Sequence, residues 1–220
     1  MRQLFCLVTL IACLPCLNLV GAEPETVGEW KLISTSDSVS LYRRSRSGPG
    51  RYESRAIGEI AASTEIVHAV LDDVEAYPRF MPYTVECRIL KREGDSVLAY
   101  QRISAPLVSD RDYTLRVRTV VKKITGGTSF VSRWETANAL GPAEKPGVVR
   151  VKLCEGGWAL EPSGPETTRA TYTVYTDSGG VIPDFIKNTG SQLGIRKIFA
   201  ALRKQVLDPK YKAEGGGPRR

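Results

Sequence analysis

The 220-residue chain carries 31 basic and 24 acidic residues, a net charge of +7, with 42% hydrophobic and 25% charged side chains. That length and balance suit one domain with a full core and exclude a disordered chain. A single histidine and few cysteines leave no ligand set for a metal and no histidine-based catalytic arrangement.

In residues 1–22, Arg2 is the only charge and Leu4 to Leu14 is nearly continuous apolar sequence ahead of Pro15. This reads as a secretory signal, too short to span a bilayer. Val20-Gly21-Ala22 suits ordinary cleavage, whereas Leu10-Ile11-Ala12-Cys13 resembles a lipoprotein box that would acylate Cys13. The first is preferred, because cutting before Cys13 leaves an unusually short signal. Losing the leader removes one arginine and no acid, leaving 30 basic against 24 acidic residues and only Cys87 and Cys154. The expected location is therefore periplasmic or secreted, where those two thiols could form a disulfide.

Glu25 to Ile33 reads as a short helix, followed by strands over Val39 to Arg46 and Tyr52 to Ile60 joined as a hairpin. Ser63 caps a helix over Thr64 to Tyr77, which Pro78 and Pro82 stop. Further strands are expected at Thr84 to Lys91, Val97 to Ser104, Asp112 to Lys122, Ser129 to Thr136, Val148 to Leu160 with a break at Gly156-Gly157, and Arg169 to Thr176. Gly94-Asp95, Gly126-Gly127 and Ser163-Gly164-Pro165 supply turns. A long helix over Val181 to Leu207 places Ile195, Ile198, Phe199, Leu202 and Val206 on one stripe and Lys187, Arg196, Lys197, Arg203 and Lys204 off it. Gly190 and Gly194 within it permit either close backbone approach or local opening. Residues 208–220, rich in glycine and cations, read as a flexible basic tail, so the folded domain spans 23–207. The class is α+β: an antiparallel sheet wrapped around the last helix.

Strand parity gives the expected lining. Tyr113, Leu115 and Val117 oppose Arg116 and Arg118; Val149 and Val151 oppose Arg150 and Lys152; Phe130, Ser132 and Trp134 oppose Arg133 and Glu135; Tyr172 and Val174 join the apolar set. With Ile195, Phe199 and Leu202 of the closing helix, these residues would line an apolar interior dotted with hydroxyls.

Ser109-Asp110-Arg111-Asp112-Tyr113 opening a strand, a strand reaching Trp158, and Gly180-Val181-Ile182-Pro183-Asp184-Phe185-Ile186-Lys187-Asn188 entering the last helix resemble START domains, the steroidogenic-acute-regulatory-related lipid-transfer modules. The likeness runs from about Glu25 to Leu207. It implies a helix-grip fold, a curved antiparallel sheet holding a long C-terminal helix with a tunnel for one lipid between them, and it implies no cofactor and no catalytic residue. The Ser104 to Asp110 loop falls at the family's tunnel mouth, which puts Leu107 and Val108 at its tip. Arg196 and Lys197 would face an anionic membrane. Sterol-binding relatives keep a charged residue inside on the strand that Arg111-Asp112 opens; the inward Tyr113, Leu115 and Val117 depart from that pattern. Asp73 to Pro82 also resembles polyketide-cyclase-like and coenzyme-Q-binding proteins of the same superfamily.

The competing readings are bland ones. His68 belongs to a predicted helix and reads as structural; Asp110-Arg111-Asp112 either makes strand-end ion pairs or contacts a headgroup; Trp30, Trp134 and Trp158 each suit a core. Sequence alone therefore points to a monomeric carrier of a lipid or other hydrophobic molecule, with a cyclase-type enzyme as the alternative and no nucleic-acid partner.

Overall fold

The structure, a computed structural model, describes residues 27–46, 51–177, 179–180 and 184–214, and for 184–191 and 213–214 it describes the backbone alone. Its strands are β1 (Lys31–Ser36), β2 (Val39–Ser45), β3 (Tyr52–Ile60), β4 (Thr84–Glu93), β5 (Ser96–Ile103), β6 (Arg111–Ile124), β7 (Gly127–Thr136), β8 (Val149–Arg150), β9 (Leu153–Gly164) and β10 (Thr167–Asp177). They make one sheet in the order β1-β2-β3-β10-β9-β7-β6-β5-β4, antiparallel throughout except that β8 pairs in parallel with the start of β6. Four helices accompany it among the described residues: α1 (Thr64–Asp72), α2 (Tyr77–Phe80), α3 (Asp184–Gln205) and α4 (Pro209–Glu214). This is the expected α+β helix-grip architecture, a large curved antiparallel sheet with a long C-terminal helix.

The sheet's inner face packs on α1 and the C-terminal half of α3. Phe199 and Leu202 are fully buried against Val39, Ala56, Ile60, Leu160 and Ala170. Gly58 makes this contact close: a Cβ there would stand 3.0 Å from the Phe199 ring and 3.1 Å from Ser38 O. Two arginines then fasten the helix to the β1–β2 turn. Arg203 donates to the carbonyls of Asp37, Ser38 and Glu59, and Arg196 to those of Ser36 and Val39 and to Ser34 Oγ. Asp37 and Ser38 sit at φ 52° and 55°, the doubly left-handed conformation of a tight hairpin turn, which these bonds help hold.

Several elements differ from the sequence reading. Where a helix was expected from Glu25, Lys31–Ser36 is an edge strand, because Val39 and Leu41 of its hairpin partner need one side of the ribbon buried. Asp73 ends α1 early, and Pro78 lies in the first turn of α2, where its missing N–H costs nothing. The predicted Val148 to Leu160 strand is two: β8 adds to the edge of β6, and the chain then crosses to place β9 between β7 and β10. Gly156 and Gly157 do not break β9. A Cβ on Gly156 would lie 2.6 Å from the Trp134 indole, so the glycine lets that ring lie across the strand. The expected tail is folded as far as Glu214. In α4 Tyr211 is fully buried and donates to Asp73 Oδ2 at 2.9 Å; residues 215–220 of the expected tail lie outside the described residues.

Candidate functional site: the hollow end of the inner face

Register places Tyr113, Leu115 and Val117 of β6, Phe130, Ser132 and Trp134 of β7, and Tyr172 and Val174 of β10 on the same face as Ala56 and Leu160. Val149 and Val151 share that side through the parallel pairing of β8 with β6. The face divides in two. Phe130, Phe199, Leu202 and Ile195, all expected to line the interior, retain at most 6% of their surface and form a closed end, with Phe130 stacked on His68 at 4.2 Å; Val151, 3% exposed, is buried apart from them beside the start of β6. Tyr113, Leu115, Val117, Ser132, Trp134, Val149, Tyr172 and Val174 keep accessible surface although they point inward.

The second set is also where the titratable groups of the inner face gather. Burial first, and then the neighbouring groups of Cys154, Tyr172, Cys87 and Tyr77, hold the Tyr113 phenol well above its ordinary pKa; burial does the same to Tyr77 and Tyr172. Burial pushes the Cys87 thiol up to about 12 and that of Cys154 to about 11. Groups from β4, β6, β9, β10 and α2 thus gather on the inner face, the two thiols buried and the three phenols keeping some accessible surface. Cys87 and Cys154 are free thiols, four strand positions apart in the sheet, so the disulfide that the sequence left open does not form.

Polar atoms on this part of the inner face are few and placed. The Tyr113 hydroxyl donates to Gln101 Oε1 at 3.1 Å, and Gln101 Nε2 donates to Thr84 Oγ1 at 2.9 Å. Trp134 Nε1 is buried without a partner, while its ring lies 5.8 Å from that of Tyr172. Trp158 bridges the hollow and closed ends, 4.8 Å from Tyr172 and 5.5 Å from Phe199. These distances describe an apolar, aromatic surface with donors able to meet an oxygen.

A model of the family described as "Polyketide cyclase / dehydrase and lipid transport" matches residues 60–203. The chain belongs to that family, as a START-domain protein. An uncharacterised Pseudomonas aeruginosa protein is 32% identical over 162 residues, 73% of this chain and 78% of its own. Mouse phosphatidylcholine transfer protein is 24% identical over 182 residues, 81% of this chain and 84% of its own. The crystal structure of a STAR-related lipid transfer protein from Xanthomonas axonopodis superposes with a TM-score of 0.71 at 25% identity, covering 81% of this chain and 99% of that one.

Within this START domain the residues expected at the mouth divide. Leu107 is 82% exposed at φ 67°, and Val108 is half-buried beside it. Lys197 is exposed and reaches the Tyr83 hydroxyl at 2.7 Å. Arg196 does not face outward as expected: its guanidinium is spent on the carbonyls of β1 and β2, because an arginine fork placed over a hairpin turn finds several acceptors at once. The Lys187 side chain lies outside the described residues. Trp30 is not in the core. It lies under Arg44 and Arg55 on the outer face, 4.4 and 4.0 Å from their guanidinium carbons. That outer face also bears an open groove of about 730 Å³ flanked by Arg44, Arg46, Arg116, Arg118 and Arg133, in which Glu53 pairs with Arg44 and Arg46 and Glu135 with Arg118.

The inward residue that parity reasoning missed is Arg111. It is two positions before Tyr113 on β6, so the alternation that found Tyr113 would have found it had the strand been started one residue earlier.

Proposed function

We propose that this START-domain protein takes one hydrophobic molecule, a lipid, into the hollow between its sheet and α3 and carries it through water without chemical change. The observation that carries the reading is the divided inner face: one end sealed against the C-terminal half of α3, the other lined by inward-pointing, mostly apolar side chains that keep accessible surface. Each methylene moved from water into such a space is worth about 0.8 kcal/mol, so ten supply about 8 kcal/mol before the cost of immobilisation. The same lining supports transport over catalysis. Phenols pushed far above their usual pKa are poor bases at neutral pH, and His68 is occupied in stacking on Phe130.

Exposed Leu107, at the tip of the Ser104 to Asp110 loop, supports a membrane contact at that loop, with uptake from the bilayer surface by a monomer. The apolar leader in residues 1–22 supports export to the periplasm or beyond. Native mass spectrometry after gentle purification tests the carrier: a copurified lipid, displaced by lipid from added vesicles, is expected. A chain that stays unliganded under every loading condition refutes it. The second reading, a cyclase-type activity, draws on the family's description and on three phenols facing one space. Turnover of an aromatic polyketide precursor that Tyr113→Phe abolishes with folding intact would establish it.

A further inference from the structure

Three arginines and two aspartates meet where β6 begins, and their pairing leaves one cation over. Arg102 holds Asp110 at 3.0 Å. Arg150 grips Asp112 through both carboxylate oxygens, at 2.7 and 3.2 Å, while the Tyr100 hydroxyl donates to Asp112 Oδ2 at 3.0 Å. The third arginine, Arg111, is 9% exposed and meets no carboxylate among the described residues. Its one hydrogen bond runs from Nη1 to the carbonyl of Ser109, and its Nε is buried with no partner at all.

The orientation of this leftover cation follows from the strand. Asp112 and Tyr100 point to the outer face, so Arg111 points inward with Tyr113. Over it run Gly179 and Gly180, the link into α3. A Cβ on Gly180 would lie 3.7 Å from Arg111 Nη2 and 3.3 Å from Val149. Both glycines adopt positive φ, 60° and 64°, and so bring bare backbone close above the guanidinium. Desolvation lowers the Arg111 pKa, and no charge among the described residues opposes it. A buried, unneutralised guanidinium is costly to a fold, and the edge left free, Nε with Nη2, is the fork that accepts two oxygens of one anion.

We propose that Arg111 is the headgroup subsite of the hollow: its Nε/Nη2 edge binds two anionic oxygens of a lipid head, a phosphodiester or a carboxylate, beneath the Gly179-Gly180 link. The acyl chains then run inward along Tyr113, Leu115 and Val117. The inference rests on the carrier reading and specifies its cargo as a lipid with an anionic oxygen pair, held by its head at the start of β6.

The test loads wild-type protein and Arg111→Met separately from vesicles containing dioleoyl phosphatidylglycerol, oleate or neutral dioleoylglycerol, and reads occupancy by native mass spectrometry. Wild type is expected to take the phospholipid or oleate in preference to dioleoylglycerol. Arg111→Met is expected to bind that anionic lipid about 10- to 100-fold more weakly while holding dioleoylglycerol as before. Which of the two anionic arms responds identifies the head. Arg111→Lys, keeping the charge and losing the fork, should fall between. Without lipid, Arg111→Met should melt no lower than wild type, because it removes an unpaired buried charge. Equal loading of anionic and neutral lipid, or an unliganded Arg111→Met that melts well below wild type, overturns the subsite and leaves the carrier standing. Uptake of none of the three lipids by wild type sinks the carrier reading and the subsite with it.

Discussion

If one end of the inner face is hollow and the other full, the same kind of substitution must have opposite consequences at the two ends. Ala170 has no exposed surface and is flanked across the ladder by Leu160 and Gly58, over which the Phe199 ring already stands 3.0 Å from a Cβ position. Three more carbons there have nowhere to go. Ala170→Leu should cost about 1–3 kcal/mol, and at about 2–4 °C per kcal/mol for a chain of this size the melting temperature should drop clearly. Leu115 also points inward, but its ladder neighbours are the small Ala99 and Thr136 and it keeps free surface. Leu115→Trp should therefore change stability by no more than about 0.5 kcal/mol. It should also fill the space a ligand would use and abolish lipid retention. Scanning fluorimetry of the delipidated proteins gives the first quantity and native mass spectrometry the second. If Leu115→Trp is destabilised as much as Ala170→Leu, the hollow is a packed core and the reasoning fails.

His68, the chain's single histidine, has its pKa lowered by burial against Phe130, opposed in part by Asp72. Its contribution is complete above about pH 6.5 and is lost as pH falls below that value, because the unfolded chain binds the proton first. The urea midpoint should drop between pH 7.5 and 5.5 in wild type and stay flatter in His68→Phe; parallel curves would show that another group is responsible. Gly194 has nothing within 4 Å of its Cβ position, so close approach does not explain it. Gly194→Ala should stabilise α3 by about 1 kcal/mol and, if helix opening gates entry, slow lipid exchange between vesicles; a loss of stability contradicts this. Asp112 is 1% exposed, and Arg150 and Tyr100 hold its carboxyl below the ordinary range against the opposing effect of burial, so its contribution is lost only in acid, below about pH 4. Asp112→Asn should cost about 3–5 kcal/mol at pH 7 by stranding Arg150, and a midpoint within error of wild type would refute that.

The strand faces were legible because their signal is local: Tyr113, Leu115 and Val117 alternate with Arg116 and Arg118 within one strand, and pleat geometry does the rest. The stripe Ile195, Phe199 and Leu202 was legible for the same reason at helical period. What alternation does not encode is how far away the opposite wall is. Phe199 and Tyr172 read alike in sequence, yet Phe199 is sealed against Gly58 and Trp158 while Tyr172 keeps accessible surface. The division of Val148 to Leu160 into β8 and β9 was hidden too, since the crossover is enforced by distant partners: Asn138 Nδ2 donating to the Val151 carbonyl, and Arg150 gripping Asp112.

Charge was the least legible property, and arginine shows why. A count of cations on the closing helix predicts a basic face, but a guanidinium has five donors in a rigid plane and binds carbonyls as readily as carboxylates. Arg196 and Arg203 therefore turn into staples between α3 and the β1–β2 turn, whereas exposed Lys204, with a single strongly hydrated ammonium, remains at the surface. On β6 the same residue type has two fates set by parity alone. Arg118, facing outward, finds Glu135 across the ladder. Arg111, facing inward, has the Ser109 carbonyl, Val149 and the Gly180 backbone around it and no carboxylate among the described residues, which is why we assign its compensating anion to the cargo.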